Sequence, residues 1–291
     1  MRLTEAFEKY RLEYVVFKNQ SRKTEEQLVL TLRSMVKFLG DIEVDELTMD
    51  SVRRWRESLT DRLCSNSIRG YIIKLRSVLR YLRRCEIGCL NYELVAIPKR
   101  EDRVVGYLDE DEVRLLVEAA FKPRSGCSHF KRYRNRAMVS LLYASGIRNG
   151  ELCQLDIDQV VDSDTFTVMG KGGKARLCFL DRRTRKYLDD YLDVRDGRVS
   201  KALFVAEMTG ERIHPGTVQM VVQVASRVAG LKKRVTPHMF RHSFATNLLK
   251  NGTNLIHVSK FLGHDSVQTT QMYTHVVDQD LAREYIKRHS V

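Results

Sequence analysis

The six cysteines among the 291 residues, Cys64, Cys85, Cys89, Cys127, Cys153 and Cys178, form no Cys-x-x-Cys pair. None has a histidine at zinc-finger spacing either, so a zinc module and a dithiol redox motif are both excluded, and the six read as reduced thiols. No apolar run approaches the ~20 residues needed to span a bilayer. The opening Met1-Arg2-Leu3-Thr4-Glu5-Ala6 is polar and acidic, unlike a signal peptide. A soluble, cytoplasmic protein is expected. No internal repeat and no low-complexity segment is present.

Acidic residues are also missing over two long stretches. None lies between Asp61 and Glu86, where Arg62, Arg69, Lys74, Arg76, Arg80, Arg83 and Arg84 fall. None lies in residues 119–150, which hold Lys122, Arg124, Lys131, Arg132, Arg134, Arg136 and Arg148. Over the whole chain 50 Lys and Arg face 37 Asp and Glu, a formal charge of +13. Such a surplus favours an acidic polymer as partner, and residues 1–98 and 99–291 are each basic, so nucleic acid could be gripped from two sides.

The length lies between one large domain and two moderate ones. Residues 1–97 read as a run of helices. Thr24-Glu25-Glu26-Gln27 is a capping box ahead of Leu28, Leu32, Met35 and Leu39, and Thr48 caps a helix through Val52, Trp55 and Leu59. Ile68, Tyr71, Ile72, Leu75, Val78, Leu79 and Leu82 repeat at three and four, which predicts a helix with one buried stripe. Its other faces would lay Arg69, Lys74, Arg76, Arg80 and Arg83 along a phosphate backbone. Residues 98–106 read as a linker and residues 107–291 as a second domain, opened by a capping box from Asp109 to Glu112. Phe166 and Val168, then Leu177 and Phe179, alternate on either side of Gly170-Lys171-Gly172-Gly173-Lys174, which predicts a β-hairpin. The glycine-lysine turn lacks the strand-to-helix context of a nucleotide loop, so ATP binding is not expected. The predicted class is mainly α with a small antiparallel sheet.

Chemistry concentrates near the end of the chain. Thr236-Pro237 is an N-cap with proline in the first turn, placing His238 and Arg241 on one face at a helix N-terminus that attracts anions. Gly263 is the expected C-cap of an apolar helix over 256–262, with His264 at the corner and Tyr273 nine residues on. Upstream, Gly146 ends a helix, Asn149 is placed to cap the next, and Arg148 stands at the junction with Glu151 to orient it. Two histidines, arginines and a tyrosine suit attack on a phosphodiester.

Arg148, Lys171, His238 with Arg241, His264 and Tyr273 occur in the order of the tyrosine recombinase family's signature. The words around them match too: Arg241-His242-Ser243-Phe244-Ala245-Thr246, Leu262-Gly263-His264 and Thr269-Thr270-Gln271-Met272-Tyr273-Thr274-His275. The whole chain therefore resembles two-domain, Xer-like members of that family, with no extra N-terminal arm-binding domain. Asn247 departs from it, standing where many members have a second histidine.

The resemblance implies a four-helix core-binding domain followed by a catalytic domain with a tail helix over about residues 278–288. Tyr273 would form a 3′-phosphotyrosine and release a 5′-hydroxyl, without metal, ATP or any other cofactor. Arg148 and Arg241 would clamp the phosphate, His238 and His264 would handle protons, Lys171 would be the general acid, and Glu151 would support the site. Lys174 and the basic helix of the first domain would contact DNA. The implied partners are double-stranded DNA with a paired-repeat core site and three further protomers, as a homotetramer or a hetero-tetramer with a second recombinase. The rival readings are a type IB topoisomerase-like nicking and closing enzyme and a non-catalytic DNA-binding relative.

Overall fold

The computed structural model describes residues 1–17, 22–101, 106–161, 163–170, 173, 175–195 and 200–263. The chain divides into two compact units, Met1–Val104 and Val105–Val291, each with its own hydrophobic core. The two-unit, mainly helical architecture with one two-stranded antiparallel sheet is the predicted class.

In the first unit, α1 (Leu3–Tyr10) runs into a π-helical turn at Arg11–Val16, followed by α2 (Arg22–Leu39), α3 (Met49–Thr60) and α4 (Ser65–Arg84). Thr48 caps α3 by accepting from the Ser51 amide at 3.2 Å, as its sequence predicts. Thr24 does not cap α2. The helix already includes Arg22 and Lys23, good helix formers that carry it one turn earlier. The α4 stripe is buried at Ile68, Ile72, Leu75, Val78, Leu79 and Leu82, against the fully buried Trp55 of α3. Two of the basic residues of α4 face inward along the chain rather than outward. Arg69 Nη1 donates to the Pro98 carbonyl at 2.9 Å and Arg76 Nη1 to the Val95 carbonyl at 2.5 Å, pinning the segment after α4 to the helix. Arg80 lies over the Tyr92 ring at 4.9 Å and remains exposed, as do Arg83 and Arg84. Burial lowers the affinity of Lys74 for its proton.

The second unit contains α5 (Glu110–Phe121), α6 (His129–Ser145), α7 (Asn149–Gln154), the hairpin β1 (Thr165–Met169) and β2 (Ala175–Phe179), then α8 (Arg182–Arg195), α9 (Pro215–Val228), α10 (Pro237–Lys250) and α11 (Leu255–Leu262). α6 is the central post, packed by α5, α8 and α10. Its basic residues are not a free surface. Arg134, 5 % exposed, donates to the Val205 carbonyl at 3.0 Å and to Asn135. Arg132 donates to the Phe121 carbonyl at 2.8 Å, and Arg136 pairs with Asp190 at 2.6 Å while sitting over the rings of Phe121 and Tyr187. The acid-free run around α6 is therefore largely interior mortar, which narrows the surface read from sequence as phosphate-facing.

The hairpin forms where predicted, but its inward face differs on the second strand. Phe166 pairs with Cys178 and Val168 with Arg176, and those four residues are buried. Leu177 and Phe179 point outward, 49 % and 45 % exposed. A side-chain period of two allows either face inward, and here an arginine with a buried partner takes the place that apolar side chains would ordinarily fill.

Candidate active site

Three corners of the second unit are tied together by hydrogen bonds beside an open cleft. The first is the turn from α6 to α7. Gly146 closes α6 in the left-handed region at φ 58°, and a Cβ there would lie 2.5 Å from Cδ1 of Phe244. Only glycine satisfies both conditions. Arg148, rather than Asn149, is the N-cap of α7 because Glu151 reaches back: its Oε2 accepts from the Arg148 amide at 2.9 Å and its Oε1 from Arg148 Nη1 at 2.7 Å. Asn149 instead donates to the Pro215 carbonyl at the start of α9.

The second corner is the start of α10, where Thr236 accepts from the Met239 amide at 3.3 Å and Pro237 occupies the first helical position. His238 and Arg241 do not share an environment, although they lie three residues apart. His238 is exposed, whereas Arg241 is 6 % exposed and sends Nη1 to the Gly146 carbonyl at 2.8 Å and Nη2 to the Leu262 carbonyl. α10 is buried on most sides, with Asn247 donating to the Tyr143 hydroxyl at 2.7 Å.

The third corner is the end of α11. Gly263 caps it at φ 59°, and its carbonyl receives Arg148 Nη2 at 3.4 Å. The guanidiniums of Arg148 and Arg241 thus converge on two successive carbonyls, those of Gly263 and Leu262, immediately before His264. Arg148, Glu151, Met169, Gly170 and His238 line an open cleft of about 560 Å³. Of the six signature positions, the structure places Arg148 and His238 at this cleft and ties Arg241 to the turn before Arg148 through the Gly146 carbonyl. Lys171, His264 and Tyr273, with Lys174 and the tail helix, lie outside the described residues.

Sequence reasoning missed Arg176. Its side chain, 6 % exposed, grips Glu151 with both terminal nitrogens, Nη1 to Oε1 at 2.9 Å and Nη2 to Oε2 at 2.5 Å. Burial pushes the Glu151 carboxyl upward, but its bonds to Arg176 and Arg148 outweigh this and hold it at about 2. The available signal was parity: in Ala175-Arg176-Leu177-Cys178, the residue paired with inward Val168 is an arginine, which requires a buried counter-charge.

Residues 106–280 match the Phage integrase family. The tyrosine recombinase XerC of Pelobacter propionicus is 32 % identical over 294 residues, covering 99 % of this chain and 96 % of that protein. Among solved structures, the XerH site-specific recombinase bound to palindromic difH substrate superposes with a TM-score of 0.76 at 22 % identity, covering 98 % of this chain and 83 % of that one. The lambda integrase tetramer bound to a Holliday junction gives a TM-score of 0.72 at 18 % identity, over 91 % of this chain and 78 % of that one. With a family match over residues 106–280 and a relative that matches almost from end to end, the chain belongs to the phage integrase family, the tyrosine recombinases.

Proposed function

We propose that this site-specific recombinase cuts and rejoins duplex DNA through Tyr273, using Arg148, Arg241, His238, His264 and Lys171 as its active site. The observation that carries this reading is the convergence of Arg148 and Arg241 on the carbonyls of Gly263 and Leu262, next to His264 in the chain. The Tyr273 hydroxyl attacks the phosphorus in line, a 3′-phosphotyrosine forms, and the 5′-oxygen leaves as a hydroxyl protonated by Lys171. A 5′-hydroxyl then attacks the phosphotyrosine, restoring a phosphodiester and freeing the tyrosine. One phosphoester bond replaces another at each step, so no external energy source is required.

Charge that develops on the non-bridging oxygens is met by two fork-shaped guanidiniums. Glu151 holds the Arg148 fork in place, and His238 and His264 act as proton acceptor and hydrogen-bond donor. The exposed Arg80 and Arg83, with Lys74 and Lys174, are the proposed backbone contacts, while Arg69 and Arg76 chiefly support the first unit. The proposed substrate is a pair of inverted repeats about a short spacer. Lambda integrase is a tetramer on a Holliday junction, and an equivalent assembly of this chain, alone or with a second recombinase, would be linked through the 278–288 tail.

The test is Tyr273→Phe on a nicked suicide duplex. The variant is expected to bind the duplex as the parent does and to form no covalent adduct; an undiminished adduct overturns the assignment.

A further inference from the structure

Glu151 makes four hydrogen bonds, two to each oxygen: Arg148 Nη1 and Arg176 Nη1 on Oε1, the Arg148 amide and Arg176 Nη2 on Oε2. A carboxylate has about four lone-pair positions, so this one is saturated and cannot swing. The Arg176 stem also lies beneath the third corner, because a Cβ on Gly263 would stand 2.9 Å from Arg176 Cδ. One buried side chain therefore touches both the support of Arg148 and the turn whose carbonyl Arg148 reaches.

We propose that Arg176 is a positioning residue of the strand-cleavage site: through Glu151 it fixes the direction of the Arg148 guanidinium, and through its stem it sets the seat of the Gly263 turn. This rests on the reading of Arg148 as a phosphate clamp. Arg176 itself is held by Glu151 through both terminal nitrogens, its charge matched by that carboxylate.

The role has a pH signature that a merely structural arginine would not give. The charged and titratable groups facing Glu151 are Arg148 from the cap of α7, Arg176 and Cys178 from β2, Arg241 from α10 and His238 across the cleft. Burial raises the Cys178 thiol, keeping it neutral, so the two arginines bonded to Glu151 are what keep its carboxylate ionised. Removal of Arg176 leaves half the bonds while burial continues to favour the acid form, and Glu151 then takes up a proton at higher pH and releases Arg148.

The duplex for the experiment is selected from a random-sequence pool by retention on the Tyr273→Phe protein, then nicked to trap the adduct. Adduct rates are compared from about pH 5 to pH 8 for the parent, Arg176→Met, Arg176→Lys and the double variant Arg176→Met with Glu151→Gln. Each variant's rate is divided by the parent's at the same pH, which removes any limb common to both; in Arg176→Met this ratio should fall about tenfold per pH unit along an acid limb, with duplex affinity little changed. Arg176→Lys, which keeps a charge in the cavity, should show a weaker limb, and the double variant should be slow at every pH with no limb. Equal slowing of Arg176→Met at all pH values, or a limb that persists in the double variant, overturns the proposal. Should Arg176→Met fail to fold, Arg176→Lys carries the comparison, and a profile parallel to the parent's overturns it. A parent chain that forms no adduct overturns the Tyr273 reading, and this one with it.

Discussion

A carboxylate is an unusual neighbour for a site meant to bind phosphate, since it repels the ligand. Glu151 is tolerated because it never stands alone: three guanidiniums, Arg148, Arg176 and Arg241, surround the same corner. Its carboxyl is held at about 2 against an ordinary 4.5, so its contribution to stability is present above about 4.5 and is lost as the pH falls from there toward 2. The difference in Tm between the parent and Glu151→Gln should therefore shrink across that window, as measured by thermal melts at stepped pH. A constant difference would show that the carboxylate is not held in this way. Lys171 makes a second prediction at this scale. Lys171→Ala should slow cleavage of an ordinary phosphodiester far more than that of a duplex with a 5′-bridging sulfur, whose leaving group needs little protonation. Equal slowing on both duplexes, read as adduct rates, removes the lysine from the general-acid role.

The elements that position the site begin and end where local chemistry dictates, and this layer was the most legible in the sequence. Thr48, Asp109, Thr236, Gly146 and Gly263 each terminate a helix as their residue types require. Legibility stopped where one side chain answers another. Arg148 displaced Asn149 from the cap because Glu151 reaches back to its amide, and the inward face of β2 went to Arg176 because Glu151 lies beneath it. Neither outcome follows from periodicity or propensity. The glycine corners allow a paired test. Gly146→Ala meets both the φ 58° backbone and the Phe244 ring, and should cost roughly 2–4 kcal/mol in denaturant unfolding. Gly210→Ala, at φ 68° with nothing within 4 Å, should cost only about 1–2 kcal/mol. Equal losses would mean that the Phe244 contact is not a constraint.

Across the whole molecule, two separate cores imply two unfolding events. The single tryptophan, Trp55, is fully buried in the first unit, so its fluorescence should follow that unit alone while far-ultraviolet circular dichroism follows both. Superimposable denaturation curves from the two probes would instead show a single cooperative transition. The charge of +13 was legible from composition, but its distribution was not. Arg69, Arg76, Arg132, Arg134, Arg136 and Arg176 spend their guanidiniums on the chain's own carbonyls and acids, leaving a smaller set for DNA. The pair between Arg176 and Glu151, 25 residues apart, also has a meaning over generations. Loss of Glu151 alone strands the buried Arg176 charge at a cost of about 3–5 kcal/mol, while loss of Arg176 alone leaves Glu151 its bonds to Arg148, so a lineage that abandons the pair is expected to lose Arg176 first.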